Sequence, residues 1–343
     1  MPVRSEDSNA NRWLHIGVSG LLSAVAIWFV LRKVDFQSLV EAIRHLDALS
    51  IILIVTCFTI GLLLRGITCR IILGKKFTFA DAFWAMNIGY LLNTIFPLRL
   101  GELGRAAVLV ERTAGKSSFL EALAAIAAER FLDLLIGFSY LLFAIVFFIH
   151  NQTLKKIAVI GFFGLGFGLI LIVFLAKKRE QVLEWLSHRF SRSESFRQKL
   201  LPAVSNLLEG FRFFLQPARL ALAFVILAVS WFLSMLEFNL LQRAILSQSE
   251  FWWPILVIPA SAFTNALPAA PGGLGVFEAG SVGAYALVGV EKPAALAMAL
   301  VVHAVQIIIP AILGMIALFI SGQSLSALIG KALSFRRRKE AIE

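Results

Sequence analysis

Long apolar runs alternate with short polar connections along this chain. Residues 14–31, 49–73, 119–149, 157–176, 220–241 and 294–320 are each apolar over enough residues to cross a bilayer as one helix, which takes about 20. The run at 14–31 has a signal-peptide look, because Ala24-Val25-Ala26 resembles a cleavage site. Apolar residues continue past it to Arg32, so it reads as an uncleaved first span. Two other stretches break the pattern. Residues 80–96 are short and carry Asn87, Asn93 and Thr94, and Pro97 follows. Residues 251–267 run into Pro268-Ala269-Ala270-Pro271-Gly272-Gly273-Leu274-Gly275, and 275–290 lead on to the last span. Pro and Gly break helices, and the N–H and C=O groups they free find no water in lipid. Such segments survive at membrane depth only inside protein or along a hydrated cavity.

The basic residues sort these runs into a topology. If 80–110 is a hairpin that enters and leaves on one side, then 24 of the 32 Lys and Arg fall on that side, against 7 on the other, with Arg130 inside a span. Full crossings throughout would scatter them across both faces, against the positive-inside rule. The basic side is therefore cytoplasmic and holds both termini. The segment 251–290 then enters and leaves from outside, so 49–149 and 220–320 each read span, hairpin, span with opposite orientation. Asn93 before Pro97-x-x-Leu100-Gly101 and Asn265 before Pro271-x-x-Leu274-Gly275 support an inverted repeat. Broken helices meeting near the midplane of such repeats are a recurring transporter design. The expected architecture is an all-α polytopic bundle forming one transmembrane domain, 1–343. Its halves are 49–176 and 220–320, its cytoplasmic linker 177–219 and its basic tail 321–343. Leu200, Val204, Leu207, Leu208 and Phe211 make the linker an amphipathic, interfacial helix.

Composition agrees with a membrane protein. Of 343 residues 59% are hydrophobic and only 15% charged, where soluble domains have about a quarter charged. The net charge of +11 does not indicate nucleic-acid binding, because the charges sit in the connections. Cys57 and Cys69 lie twelve residues apart on one helix and cannot pair. No ligand spacing for a metal, P-loop or nucleotide fingerprint occurs, so no cofactor is expected.

Charged residues inside the apolar runs are the candidate chemistry, since a charge at membrane depth is costly and usually functional. Glu102 and Arg105 share a face if the chain is helical from Leu100, and Arg99 lies nearby. Arginines at a helix N-terminus make a phosphate seat. Glu129 and Asp133 share a face of the next span, with Arg130 offset. These groups line a polar cavity in one reading, and in the other they form a structural ion pair with Arg105. If Leu274 starts a half-helix, Glu278 sits one turn in, where it could pair with an arginine of the first hairpin or exchange a proton. Glu237, Asn239, His303 and Gln306 are further polar groups within spans, and a lone His such as His303 is more often a packing residue. Asn93, Pro97, Gly101, Asn265, Pro268, Pro271, Gly272, Gly273 and Gly275 are the candidate gating backbone.

The motifs Pro97-x-Arg99-Leu100-Gly101-Glu102-x-x-Arg105 and Pro271-Gly272-Gly273-x-Gly275-x-x-Glu278, with Glu129-Arg130-x-x-Asp133 between them, resemble the lysylphosphatidylglycerol synthase transmembrane, flippase-like family. The likeness extends from about residue 49 to 320. It implies a bundle similar to the membrane half of the bacterial multiple peptide resistance factor, which moves aminoacylated phosphatidylglycerol between leaflets. No aminoacyl-transferase region follows residue 320, so the expectation is a chain that does not itself charge a lipid. The substrate implied is an anionic phospholipid, a polyprenyl-linked lipid or a hopanoid-type lipid, with a lipid-synthesis enzyme as partner and a bacterial inner membrane as setting. Arg99, Arg105 and Arg130 would hold the phosphate, and Glu102, Glu129, Asp133 and Glu278 would balance charge and carry a proton. A membrane-embedded lipid-modifying enzyme and a non-transporting assembly factor are the alternatives.

Overall fold

A computed structural model of the protein describes residues 44, 46–96, 100–113, 118–149, 151–190, 194, 198, 200–266 and 271–321. Among them the elements are α1 (Ala48–Leu73), α2 (Phe79–Ile95), α3 (Gly101–Arg112), α4 (Phe119–Phe148), α5 (Gln152–Lys177), α6 (Arg179–Arg189), α7 (Leu201–Phe211), α8 (Pro217–Ile245), α9 (Trp253–Asn265), α10 (Val276–Ala286) and α11 (Lys292–Ser321). Short 3-10 turns lie at Arg212–Leu215 and Pro271–Gly273, and no strand occurs among the described residues. The protein is an all-α integral membrane bundle. Helices α1, α4, α5, α8 and α11, of 26 to 30 residues, are long and apolar enough to span. They answer to five of the six expected spans; the run at 14–31 lies outside the described residues. Outward-facing Ile160, Phe163 and Phe167 on α5 are exposed and apolar, as a lipid-facing helix requires.

Both broken segments are helical hairpins. At 1.5 Å per residue, α2 (17 residues), α3 (12), α9 (13) and α10 (11) reach about 25 Å at most, short of the ~30 Å hydrocarbon core. Each pair folds back on itself. Gly101 lies against Asn93, Gly89 against Arg105, and Arg112 reaches Asp81 near the start of α2, so α3 runs antiparallel to α2. Ser261 bonds Ser281 at 2.7 Å, and Gly280 abuts Thr264 and Ala260, which does the same for α9 and α10.

The halves pack as a repeat would. The largest interface joins α1 to its counterpart α8, and α2 packs on α11 as α9 packs on α4. Ile71 meets Arg219, and Gly61 meets Ser230 further up, so α1 and α8 run antiparallel. That is the relation an inverted repeat demands. Capping fixes the helix starts near the turns: Thr78 with Asp81 opens α2, and Ser118 with Glu121 opens α4, each by a reciprocal capping box. In the linker, α7 buries Leu208 and sets Gly210 against Ala124 of α4.

Candidate functional site

The two hairpin tips meet. The Pro271–Gly273 turn packs on α2, and between the tips and the long helices lies a cavity of about 470 Å³. Helical spacing places its walls. Phe58, Gly61, Leu62 and Arg65 form one stripe of α1, and His303, Gln306, Ile307 and Pro310 form one stripe of α11. Ser230, Trp231, Ser234 and Phe238 of α8 and Arg130 and Asp133 of α4 close the sides.

Four charged groups line one wall. Asp133 is held from three directions: Arg65 at 2.9 and 3.0 Å, the Trp231 indole N–H at 3.1 Å and Arg130 at 3.4 Å. Arg130 is held more loosely. Besides Asp133 it faces Glu102, whose Oε1 stands 3.9 Å from the buried Nε, beyond hydrogen-bond reach. Glu102 receives the Asn93 amide at 3.5 Å. Two guanidinium groups and two carboxylates therefore balance one another, and the Arg130–Glu102 side is the yielding one.

Arg105 and Glu129 are elsewhere. The Arg105 guanidinium closes on Glu129 at 2.5 and 3.2 Å and reaches Cys69 Sγ at 2.6 Å, with both side chains almost fully buried. They pin α3 to α4 behind the cavity wall, the structural ion pair that was one of the two readings. Glu102, three residues before Arg105, points instead into the cavity. The spacing did place both on one side of α3, but their partners divide them.

Glu278 meets a histidine in place of the expected arginine. His303 Nδ1 is 2.6 Å from Glu278 Oε1 and His303 Nε2 is 2.9 Å from the Gly272 carbonyl. A carbonyl only accepts, so Nε2 carries a proton, and a further proton lies between Nδ1 and the carboxylate. Glu278 Oε2 accepts the Gly275 N–H at 2.7 Å, capping α10. His303 is thus the strut of the second tip, stacked on Phe277 at 4.3 Å. Arg105 of the first hairpin is spent on Glu129 instead.

The asparagines hold the tips. Asn93 Oδ1 accepts the Gly101 N–H at 2.7 Å. Asn265 lines the cavity with its Oδ1 against Gly273, whose φ is +70°. Gly272 and Gly275 share that left-handed region, at φ +69° and +87°. A Cβ on Gly101 would stand 2.0 Å from the Gly89 carbonyl, and one on Gly273 would stand 1.8 Å from Asn265 Oδ1. Pro271 opens the turn between them. Pro97, Arg99 and Pro268 lie outside the described residues. The reading along the chain missed Arg65 as a site residue. Its signal is a charge within the apolar run 49–73.

A family model described as the lysylphosphatidylglycerol synthase TM region matches residues 14–314. A UPF0104 membrane protein of Methanothermobacter thermautotrophicus is 25% identical over 300 residues, covering 82% of this chain and 84% of its own. A UPF0104 membrane protein of Pyrococcus horikoshii is 22% identical over 322 residues, covering 88% and 95%. No solved structure matches significantly.

Proposed function

Since the chain belongs to the lysylphosphatidylglycerol synthase transmembrane family, we propose that it moves a phosphate-bearing lipid between the leaflets of its membrane. The observation that carries this reading is the cavity between the two hairpin tips, where the buried Nε of Arg130 makes no hydrogen bond and meets Glu102 only at 3.9 Å. An arginine at membrane depth with an unused donor is a seat for an anionic oxygen, because guanidinium matches phosphate and a charge there is otherwise expensive. The cavity walls are mixed, with Arg65, Arg130 and Asp133 beside Phe58, Leu62, Ile258 and Phe263, as a headgroup with its acyl chains requires.

The phosphate docks on Arg130, with Arg65 behind it holding Asp133 in place. Glu102 swings off Arg130 to let it in, and its carboxylate with the Asn93 amide takes a hydroxyl or ammonium of the headgroup. The two tips, braced by Asn93 and by His303 with Glu278, are the gates. The setting proposed is a bacterial inner membrane with both termini cytoplasmic, and a lipid-synthesis enzyme supplies the substrate.

The test is lipid movement by the purified protein in liposomes carrying labelled phosphatidylglycerol, polyprenyl phosphate or a neutral lipid. Headgroup-selective movement in the wild type, reduced about ten- to hundredfold in Arg130→Gln, is expected from losing one charge-assisted hydrogen bond. Equal movement of the neutral lipid, or an Arg130→Gln protein as fast as wild type, overturns the reading. A lipid recovered chemically altered would show an enzyme instead.

A further inference from the structure

Glu237 on α8 is fully buried, and neither carboxylate oxygen has a hydrogen-bond partner among the described residues. It plays no part in the headgroup site. Ser234, one turn before it, and Phe238, next to it, both line the cavity, so Glu237 stands directly behind that wall. Ser230, two turns before Glu237 on the same face of α8, donates to the Gly61 carbonyl of α1 at 3.1 Å, which sets Glu237 at the α1–α8 seam.

The repeat explains why no cation waits there. Arg65 precedes Asn93 by the same number of residues as Glu237 precedes Asn265, so Glu237 stands on α8 where the first half has Arg65 on α1. Arg65 reaches across to Asp133 on α4. The same register on α11 falls at Val305, which offers nothing. On the other elements packed against α8, the inward-facing cations among the described residues are engaged. Arg65 of α1 and Arg130 of α4 hold Asp133, Arg70 is exposed at the end of α1, and His303 on α11 holds Glu278 and the Gly272 carbonyl. Arg212 on the 3-10 turn holds Glu209, and α9 carries no ionisable group. An ionised carboxylate without a partner cannot be kept in such a place, and the group answers by keeping its proton.

We infer that Glu237 is a proton-binding site behind the cavity wall, loaded while α1 and α8 are closed on each other and emptied when that seam opens to the cavity. The closed arrangement is therefore favoured in acid and weakens as pH rises, since only the protonated side chain fits the seam. The assignment does not depend on what the cavity carries.

The test is infrared difference spectroscopy of the purified protein in vesicles of phosphatidylglycerol and phosphatidylethanolamine, wild type minus E237Q, at neutral pH. A protonated-carboxyl C=O band absent from E237Q is expected. A carboxylate band in its place would show a charged Glu237 with a cation and overturn the assignment. Where E237Q does not accumulate, E237D decides: a protonated band displaced in frequency supports the site, and a carboxylate band refutes it.

Discussion

At the scale of single residues, two ion pairs that look alike in the sequence have different work. Arg105 and Glu129 are sealed, and every strong contact of theirs is to each other or to Cys69. Removing one member leaves a buried charge, at about 3–5 kcal/mol. Arg105→Met should therefore lower the thermal unfolding temperature of the solubilised protein sharply. Arg105→Met with Glu129→Leu should recover most of it, because an apolar pair of similar volume needs no counter-charge. An Arg105→Met protein that unfolds like wild type would show the pair to be hydrated. Arg130, half open to the cavity, should behave oppositely, with stability kept and lipid movement lost. The chain announced the charges but not this division. Glu129, Arg130 and Asp133 are one short motif, and which of them is sealed depends on α3, α1 and α8, all distant in sequence.

At the scale of elements, the hairpin tips were legible and their bracing was not. Pro and Gly within apolar runs required protected, broken helices, and α2–α3 and α9–α10 are such hairpins. What the pattern could not supply was His303, because its partners Glu278 and the Gly272 carbonyl lie across the bundle on another element. The glycines of the second tip now separate into kinds. At Gly275 nothing stands near an added Cβ, so Gly275→Ala meets only the left-handed backbone, about 1–2 kcal/mol. Gly273→Ala meets the same backbone and Asn265 as well. It should be the more damaging in thermal stability, and Asn265→Ala should relieve part of the excess, a coupling that a double-mutant cycle measures. Gly272Gly273→AlaAla should still insert, since the long spans govern insertion, while lipid movement slows. Wild-type rates in that variant would remove the tip from the gating.

At the scale of the whole molecule, the topology rests on charge counting and on packing, which are independent of each other. Counting puts 24 Lys and Arg on one face and 7 on the other if 80–110 is re-entrant and 251–290 returns to its side of entry, as a hairpin or as two half-spans. Packing gives hairpins too short to cross and an antiparallel α1–α8 interface, as opposed halves need. The order of spans was thus readable from hydropathy and charge, whereas the pairing of α2 with α11 and α9 with α4 was not, because apolar faces in lipid carry no address. Cysteine labelling joins the two lines. With Cys57 and Cys69 replaced by Ser, single cysteines at Lys76 and Ser118, which flank the first hairpin, should react with a membrane-impermeant maleimide from the same, cytoplasmic side. Cysteines at Ser247 and Gly289, which flank the second, should react from the other. Opposite-side labelling of Lys76 and Ser118 would make α2–α3 a crossing. It would also place the loops after α1 and before α8 on different faces, and the Arg219–Ile71 contact that joins them could not then form.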